Sequence, residues 1–172
     1  MLKREVGSSG GSAVAVSANL VPISLGTETD TSVIGPALIN GVVGIKPTVG
    51  LTSRGGVVPI SHSMDTVGCF GRTVLDAAYT LTAIAGSDDR DGATKRNPKA
   101  RVNYADFVSS KDVLRGARFG LPHKRCWEFV PEDQAAIAQE IIDAIAAAGG
   151  EVMTVDFPCA EERIPDDGSW DW

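Results

Sequence analysis

Short apolar runs alternate with helix-periodic stretches along this chain, and polar, glycine-rich segments separate them. After Gly7-Ser8-Ser9-Gly10-Gly11-Ser12 comes the small apolar run 13–18, which predicts a tightly packed helix starting near the glycines. Residues 21–25 predict a short buried strand, with Pro22 at its start, where a missing N–H is tolerated. Residues 26–32 are polar and predict a turn. Residues 33–39 predict a short helix, and Pro36 fixes where it begins. Proline is accepted only within a first turn, so the start lies close to Thr31 or Ser32. Residues 42–45 are another short apolar run, stopped by Pro47. Residues 50–59 predict a loop or hairpin.

The periodicity then lengthens. Val74, Ala77, Ala78, Leu81, Ile84 and Ala85 recur at three- and four-residue spacing, predicting a helix over 73–85. Thr73 suits its N-cap and Gly86 its C′ position. Residues 86–112 are polar and irregular, and 118–121 predict a strand. The clearest helix is 131–148, with Pro131 at N1, acids behind it, and Ile137, Ile141, Ile142 and Ile145 assigned to one face. Gly149 and Gly150 end it, and 151–155 predict a strand. Strands alternating with helices point to an α/β fold. The chain contains no internal repeat.

Composition narrows the partners. The 172 residues are 43% hydrophobic and 22% charged, which fits one globular domain with a real core. A net charge of −6 argues against nucleic acid, whose phosphates need a basic face. The cluster Lys95, Arg96, Lys99 and Arg101 is flanked by Asp88, Asp89, Asp91 and Asp106 and reads as a solvated loop. Cys69, Cys126 and Cys159 show no C-x-x-C spacing, and His62 and His123 are the only histidines. No metal or other cofactor is expected from so few ligands. Reduced thiols and a cytoplasmic setting are expected. No apolar run is long enough to span a bilayer, and residues 1–6 lack the apolar region of a signal peptide.

Candidate chemistry centres on serine. The segment 7–12 admits a bland reading as a solvated turn. It also matches G-x-S-x-G with Ser9 in the middle, a nucleophile elbow with His123 as a possible base. That motif needs a preceding strand, and residues 1–6 are short and carry three charges. A third reading takes two separated serines. Gly7-Ser8-Ser9-Gly10-Gly11-Ser12-Ala13 is followed by Gly26-Thr27-Glu28-Thr29-Asp30-Thr31-Ser32, then Pro36-Ala37, Gly41 and Gly44. Next come Lys46-Pro47-Thr48-Val49-Gly50-Leu51-Thr52-Ser53-Arg54-Gly55, the run from Arg72 to Ala78, and Ala85-Gly86-Ser87-Asp88-Asp89-Arg90-Asp91. The stretch from Leu114 to Pro122 fits as well. In this order and spacing the segments resemble the amidase signature family, over roughly residues 7–155.

The resemblance implies an α/β amidase signature fold, a mixed β-sheet sandwiched by helices, present only in part. It implies one partial domain over 1–172, with its signature core at about 7–56 and an acidic tail at 158–172. It implies hydrolysis of a small-molecule carboxamide through an acyl-serine, with a Ser-Ser-Lys triad. Ser32 maps to the nucleophile and Ser8 to the bridging serine, with Gly7, Ser9 and Gly10 in support. The peptide preceding the bridging serine, Gly7–Ser8, is cis in the family. The N–H groups of Thr29, Asp30, Thr31 and Ser32 map to the oxyanion hole. Residues 61–65 resemble a family loop near the substrate channel, which draws in His62 and Asp65.

Three departures stand beside this. The family's catalytic lysine lies upstream of the serine pair, in a segment this chain does not have. Lys3 is too near the pair, and Lys46 belongs to a structural element. Asp30-Thr31 stands where many members have Gly-Gly, and Ile34 where they have arginine. The family's C-terminal strands and much of its pocket are expected beyond residue 172. An inactive fragment is therefore the alternative to an active amidase, and exposed sheet edges are expected to drive self-association.

Overall fold

The computed structural model describes residues 7–96, 102–108, 112–122 and 130–155. Lys99, Arg101, His123, Cys126, Cys159 and the acidic tail lie outside the described residues. The chain divides into two compact units, Met1–Ser109 and Ser110–Trp172.

In the first unit the order is α1 (Gly10–Ser17), β1 (Ile23–Glu28), α2 (Ile34–Asn40), β2 (Val43–Ile45), β3 (Thr66–Gly71) and α3 (Val74–Ile84). The three strands form one sheet in the order β1-β3-β2, with both pairings antiparallel. Sequence patterning did not mark β3, the central strand. It is covered on both faces, so its burial does not alternate, and Gly68 and Gly71 interrupt its apolar run. Those glycines let neighbours close in. A Cβ on Gly71 would lie 2.8 Å from the Ala77 nitrogen of α3.

Cross-strand partners share a face, and this sorts the core. Gly26 and Glu28 of β1 lie with Thr66, Gly68 and Phe70 of β3. On that face α1 and α2 bury Ala13, Val16, Val33 and Ala37 around Phe70. Full burial of a side chain such as Phe70 is worth about 1.5–3 kcal/mol. On the opposite face α3 packs Ala77 and Leu81 against Cys69, with Val43 and Ile45 beside them. Helices thus cover both faces, as expected. The cover stops short over β1, where Ile23 and Leu25 remain exposed.

Several boundaries move. β1 runs on to Glu28 and takes 26–28 out of the predicted turn, because these residues pair with Thr66, Val67 and Gly68. α2 begins at Ile34 and Pro36 falls in its first turn, as proline requires. α3 starts with a reciprocal capping box between Thr73 and Asp76. Gly86 does not act as its C′ glycine. Ala85 turns extended instead, bridges to Thr52, and lets the Gly86 N–H donate to the Leu51 carbonyl at 3.1 Å.

The second unit joins β4 (Arg118–Pro122) and β5 (Glu151–Val155) as a parallel pair, with α4 (Glu132–Ala147) between them in sequence. Pro131 is the N-cap rather than the first helical residue, and its carbonyl accepts from Gln134 and Ala135. Gly149 and Gly150 end α4 as predicted. Their N–H groups reach the carbonyls of Ala146 and Ile145, with Gly149 at φ +90°. The four isoleucines do not share one face. Ala135, Ala138, Ile142 and Ile145 form the half-buried stripe, while Ile137 and Ile141 are exposed. Alanines at 135 and 138 complete a three- and four-residue spacing with Ile142 and Ile145, and Ile137 and Ile141 fall beside it. Among the described residues, no helix is long and apolar enough to cross a membrane.

Candidate active site

β1 ends at Glu28 and α2 begins at Ile34, so five residues turn the chain between sheet and helix. Glu28 anchors this turn. Its buried carboxylate accepts from the N–H groups of Val33 at 2.6 Å and Ile34 at 2.9 Å. These are among the first N–H groups of α2, which have no partner within the helix. The carboxylate also meets the positive end of the helix dipole. Hydropathy alone places Glu28 in a polar turn. An acid a few residues ahead of a helix start is the signal that could have found it.

Within the turn Thr31 takes a left-handed conformation, φ +59°. Its carbonyl accepts from the Gly35 N–H at 2.8 Å, and its hydroxyl reaches Asp30. Ser32 follows, half-buried, with its hydroxyl 3.3 Å from the Asp30 carbonyl. Among the described residues no hydrogen bond occupies the N–H groups of Asp30, Thr31 or Ser32. Among those residues they are unengaged donors, on the turn that presents the Ser32 hydroxyl.

The glycine-serine segment meets this turn from the other side. Gly7 has φ +99°, and a Cβ there would sit 2.7 Å from Ser32 Cα and 2.9 Å from Pro36 Cδ. Only glycine allows both the dihedral and the approach. The approach brings the Ser8 N–H to Ser32 Oγ at 3.2 Å. One expectation is corrected here. The Gly7–Ser8 peptide is trans, the isomer favoured by about 2.5–4 kcal/mol when nothing enforces the other. Gly7's positive φ turns the chain instead. Ser8 meets Ser32 here through its backbone N–H; among the described residues its hydroxyl makes no hydrogen bond with Ser32.

Ser9 is structural. It is buried at the N-cap position of α1, but its hydroxyl does not cap the helix. It accepts from the Thr27 N–H and donates to the Thr27 carbonyl, both at 3.1 Å, satisfying the outer edge of β1. A side chain at Gly26 would collide with it. Gly10, buried, opens α1. The nucleophile-elbow reading of Ser9 therefore fails, because that hydroxyl is committed to the backbone.

Two loops brace the far side. Thr29 donates its hydroxyl to Asp65. Asp65 also accepts from Ile60 at 2.8 Å and from Ser61 at 3.0 Å. The Thr29 hydrogen bond, helped by the Ile60 and Ser61 N–H groups and by Arg54, holds the Asp65 carboxyl below the usual range. Arg54 grips Asp91 at 2.9 Å through both Nε and Nη2 and donates to the His62 carbonyl at 2.6 Å. That guanidinium holds the Asp91 carboxyl far below normal, and Asp91 in turn raises Arg54. A cavity of about 160 Å³ opens here, lined by Arg54, Val57, Pro59, His62, Asp65 and Asp91 among others. The motifs contain Arg54 and Asp91 as separate residues, and their pairing emerges only in the fold. Among the described residues no three His, Cys, Asp or Glu side chains gather as a metal site.

Known proteins resemble this chain in sequence and fold. A family profile described as Amidase matches residues 5–167. The crystal structure of native peptide amidase from Stenotrophomonas maltophilia superposes with a TM-score of 0.85 at 45% identity, covering 92% of this chain and 32% of that one. A glutamyl-tRNA(Gln) amidotransferase subunit from Thermotoga maritima gives a TM-score of 0.80 at 36% identity, over 91% of this chain and 34% of that one. The corresponding protein from Aromatoleum aromaticum is 40% identical over 162 residues, 92% of this chain and 33% of that protein. The chain belongs to the amidase family and carries part of the amidase signature fold. It spans about a third of the length of these relatives.

Proposed function

We propose that the chain carries the nucleophile half of an amidase site, acting on a small carboxamide. Ser32 Oγ attacks the carbonyl carbon, and the oxyanion collects on the N–H groups of the turn from Thr29 to Ser32. The Ser32 proton passes to Ser8 and on to a neutral lysine outside the described residues. The amine departs with a proton, and water then releases the acyl group from Ser32. One observation supports this above the others: the Ser8 N–H lies 3.2 Å from a Ser32 hydroxyl whose turn holds three N–H groups without a partner among the described residues. Preorganised donors of this kind are commonly worth about 2.7–4 kcal/mol each in acyl transfer. For the relay to run, the Ser8 hydroxyl must rotate toward Ser32. The names of the relatives, a peptide amidase and part of an amidotransferase, supply the amide chemistry of the reading. A cytoplasmic setting belongs to it too, supported by the buried, free Cys69.

An inert chain is the second reading. It is favoured because, among the described residues, no lysine is hydrogen-bonded to Ser8 or Ser32. Ammonia release from simple carboxamides separates the two, measured with the wild-type chain, Ser32→Ala and Ser8→Ala, with and without added primary amine as base. Turnover that rises with amine and vanishes in Ser32→Ala supports the amidase reading. Rates equal to those of Ser32→Ala under every condition refute it.

A further inference from the structure

We propose that Asp65 is a positioning residue for the Ser32 turn, acting through the Thr29 hydroxyl. The inference rests on the amidase reading for its consequence but on geometry for its substance. Glu28 and Thr66 form the last rung between β1 and β3. Thr29 and Asp65 stand one residue beyond it, and the Thr29 hydroxyl donates to the Asp65 carboxylate across the gap. That bond extends the ladder by a side-chain step, into the first residue of the turn. At the turn's other end Glu28 takes the N–H groups of Val33 and Ile34. Residues 29–33 are therefore clamped between two buried carboxylates. The free N–H groups of Asp30, Thr31 and Ser32 lie between the clamps, so their direction depends on both. Such donors act by preorganisation, and a turn free to pivot at Thr29 loses it.

Asp65 is itself held from behind. The N–H groups of Ile60 and Ser61 fix its oxygens, and Arg54, locked to Asp91, faces it across the cavity that His62 also lines. A carboxylate with this many donors has one orientation, which is what a clamp needs.

The competing explanation is that Asp65 only closes its own 60–65 turn. Thr29 separates the two, because replacing it leaves the Ile60 and Ser61 bonds intact. Amide NMR of the 172-residue chain is compared for wild type, Thr29→Val and Thr29→Ser, alongside the rate of fluorophosphonate attachment to Ser32. Thr29→Val is expected to shift the amide resonances of Asp30, Thr31 and Ser32 and to slow attachment about tenfold, the effect of about one hydrogen bond. Thr29→Ser, which keeps the hydroxyl, is expected to restore both. Thr31 and Ser32 amides that ignore the Thr29→Val change would overturn the proposal. Absence of any adduct in the wild type would count against the amidase reading alone, since the resonances decide the positioning claim separately.

Discussion

Thr31 occupies a left-handed conformation that L-residues enter at a cost of roughly 1–2 kcal/mol. The family resemblance implies glycine at this position. The Ser32 turn can therefore be built without glycine, provided its two ends are fixed, and Glu28 and Thr29 fix them here. Thr31→Gly should relieve the strain but make the unfolded chain more flexible, which offsets about 0.5–1 kcal/mol. The net expectation is a gain of roughly 0.5–1 kcal/mol, read as a higher urea midpoint. A lower midpoint would mean that the Thr31 hydroxyl bond to Asp30 outweighs the dihedral.

At the scale of elements, buried polar pairs tie the loops to the sheet. Arg54 and Asp91 are almost fully buried and join residues 37 apart through two side-chain bonds and one from the Arg54 backbone. Breaking such a pair typically costs about 3–5 kcal/mol, and solvent near this open cavity should reduce that. The pH dependence has a definite sign. Asp91, Asp88 and Asp65 all have lowered carboxyl pKa values in the folded chain. Their stabilisation is complete above the unfolded aspartate value of about 3.9 and is lost as pH falls below it. Stability should therefore decline steeply below about pH 4, and Arg54→Met should flatten that decline while lowering the plateau. An unchanged acid profile in Arg54→Met would show that the pair is not what holds Asp91.

Elements differ in how far the sequence revealed them. α3 and α4 were legible because their spacing and caps are local properties. So was the position of Ser32, because its turn lies between an apolar run and a proline-limited helix start. β3 was hidden because a strand covered on both faces has no alternation to detect, and its glycines are chosen by contacts with its neighbours, α3 among them. Glu28, Arg54, Asp65 and Asp91 were present in the motifs, but some of their partners lie as far as 37 residues away. Which polar residues meet is a property of the packed loops, and periodicity does not carry it. The trans Gly7–Ser8 peptide was missed because the expectation came by family likeness and not from these residues.

Over the whole molecule, apolar surface remains uncovered within each unit. Ile23, Leu25, Tyr79 and Ile84 line an open groove of about 310 Å³ between β1 and α3. On α4, Ile137 is 62% and Ile141 59% exposed. Stretches of this kind favour association, and β1 adds a sheet edge that pairs only with β3 among the described residues. Sedimentation of the isolated chain should show mass rising with concentration, and Leu25→Glu combined with Ile137→Glu should reduce it. A monomer at every concentration would mean that these surfaces are tolerated as they stand.

The role of Ser32 is open to a covalent test. The purified chain is treated with a fluorophosphonate and examined by intact mass and peptide mapping. A single adduct on Ser32 is expected, enhanced by added primary amine, lost in Ser32→Ala and retained in Ser9→Ala. A folded chain that takes no adduct under any of these conditions, or takes it on Ser9, would contradict the assignment of Ser32 as nucleophile.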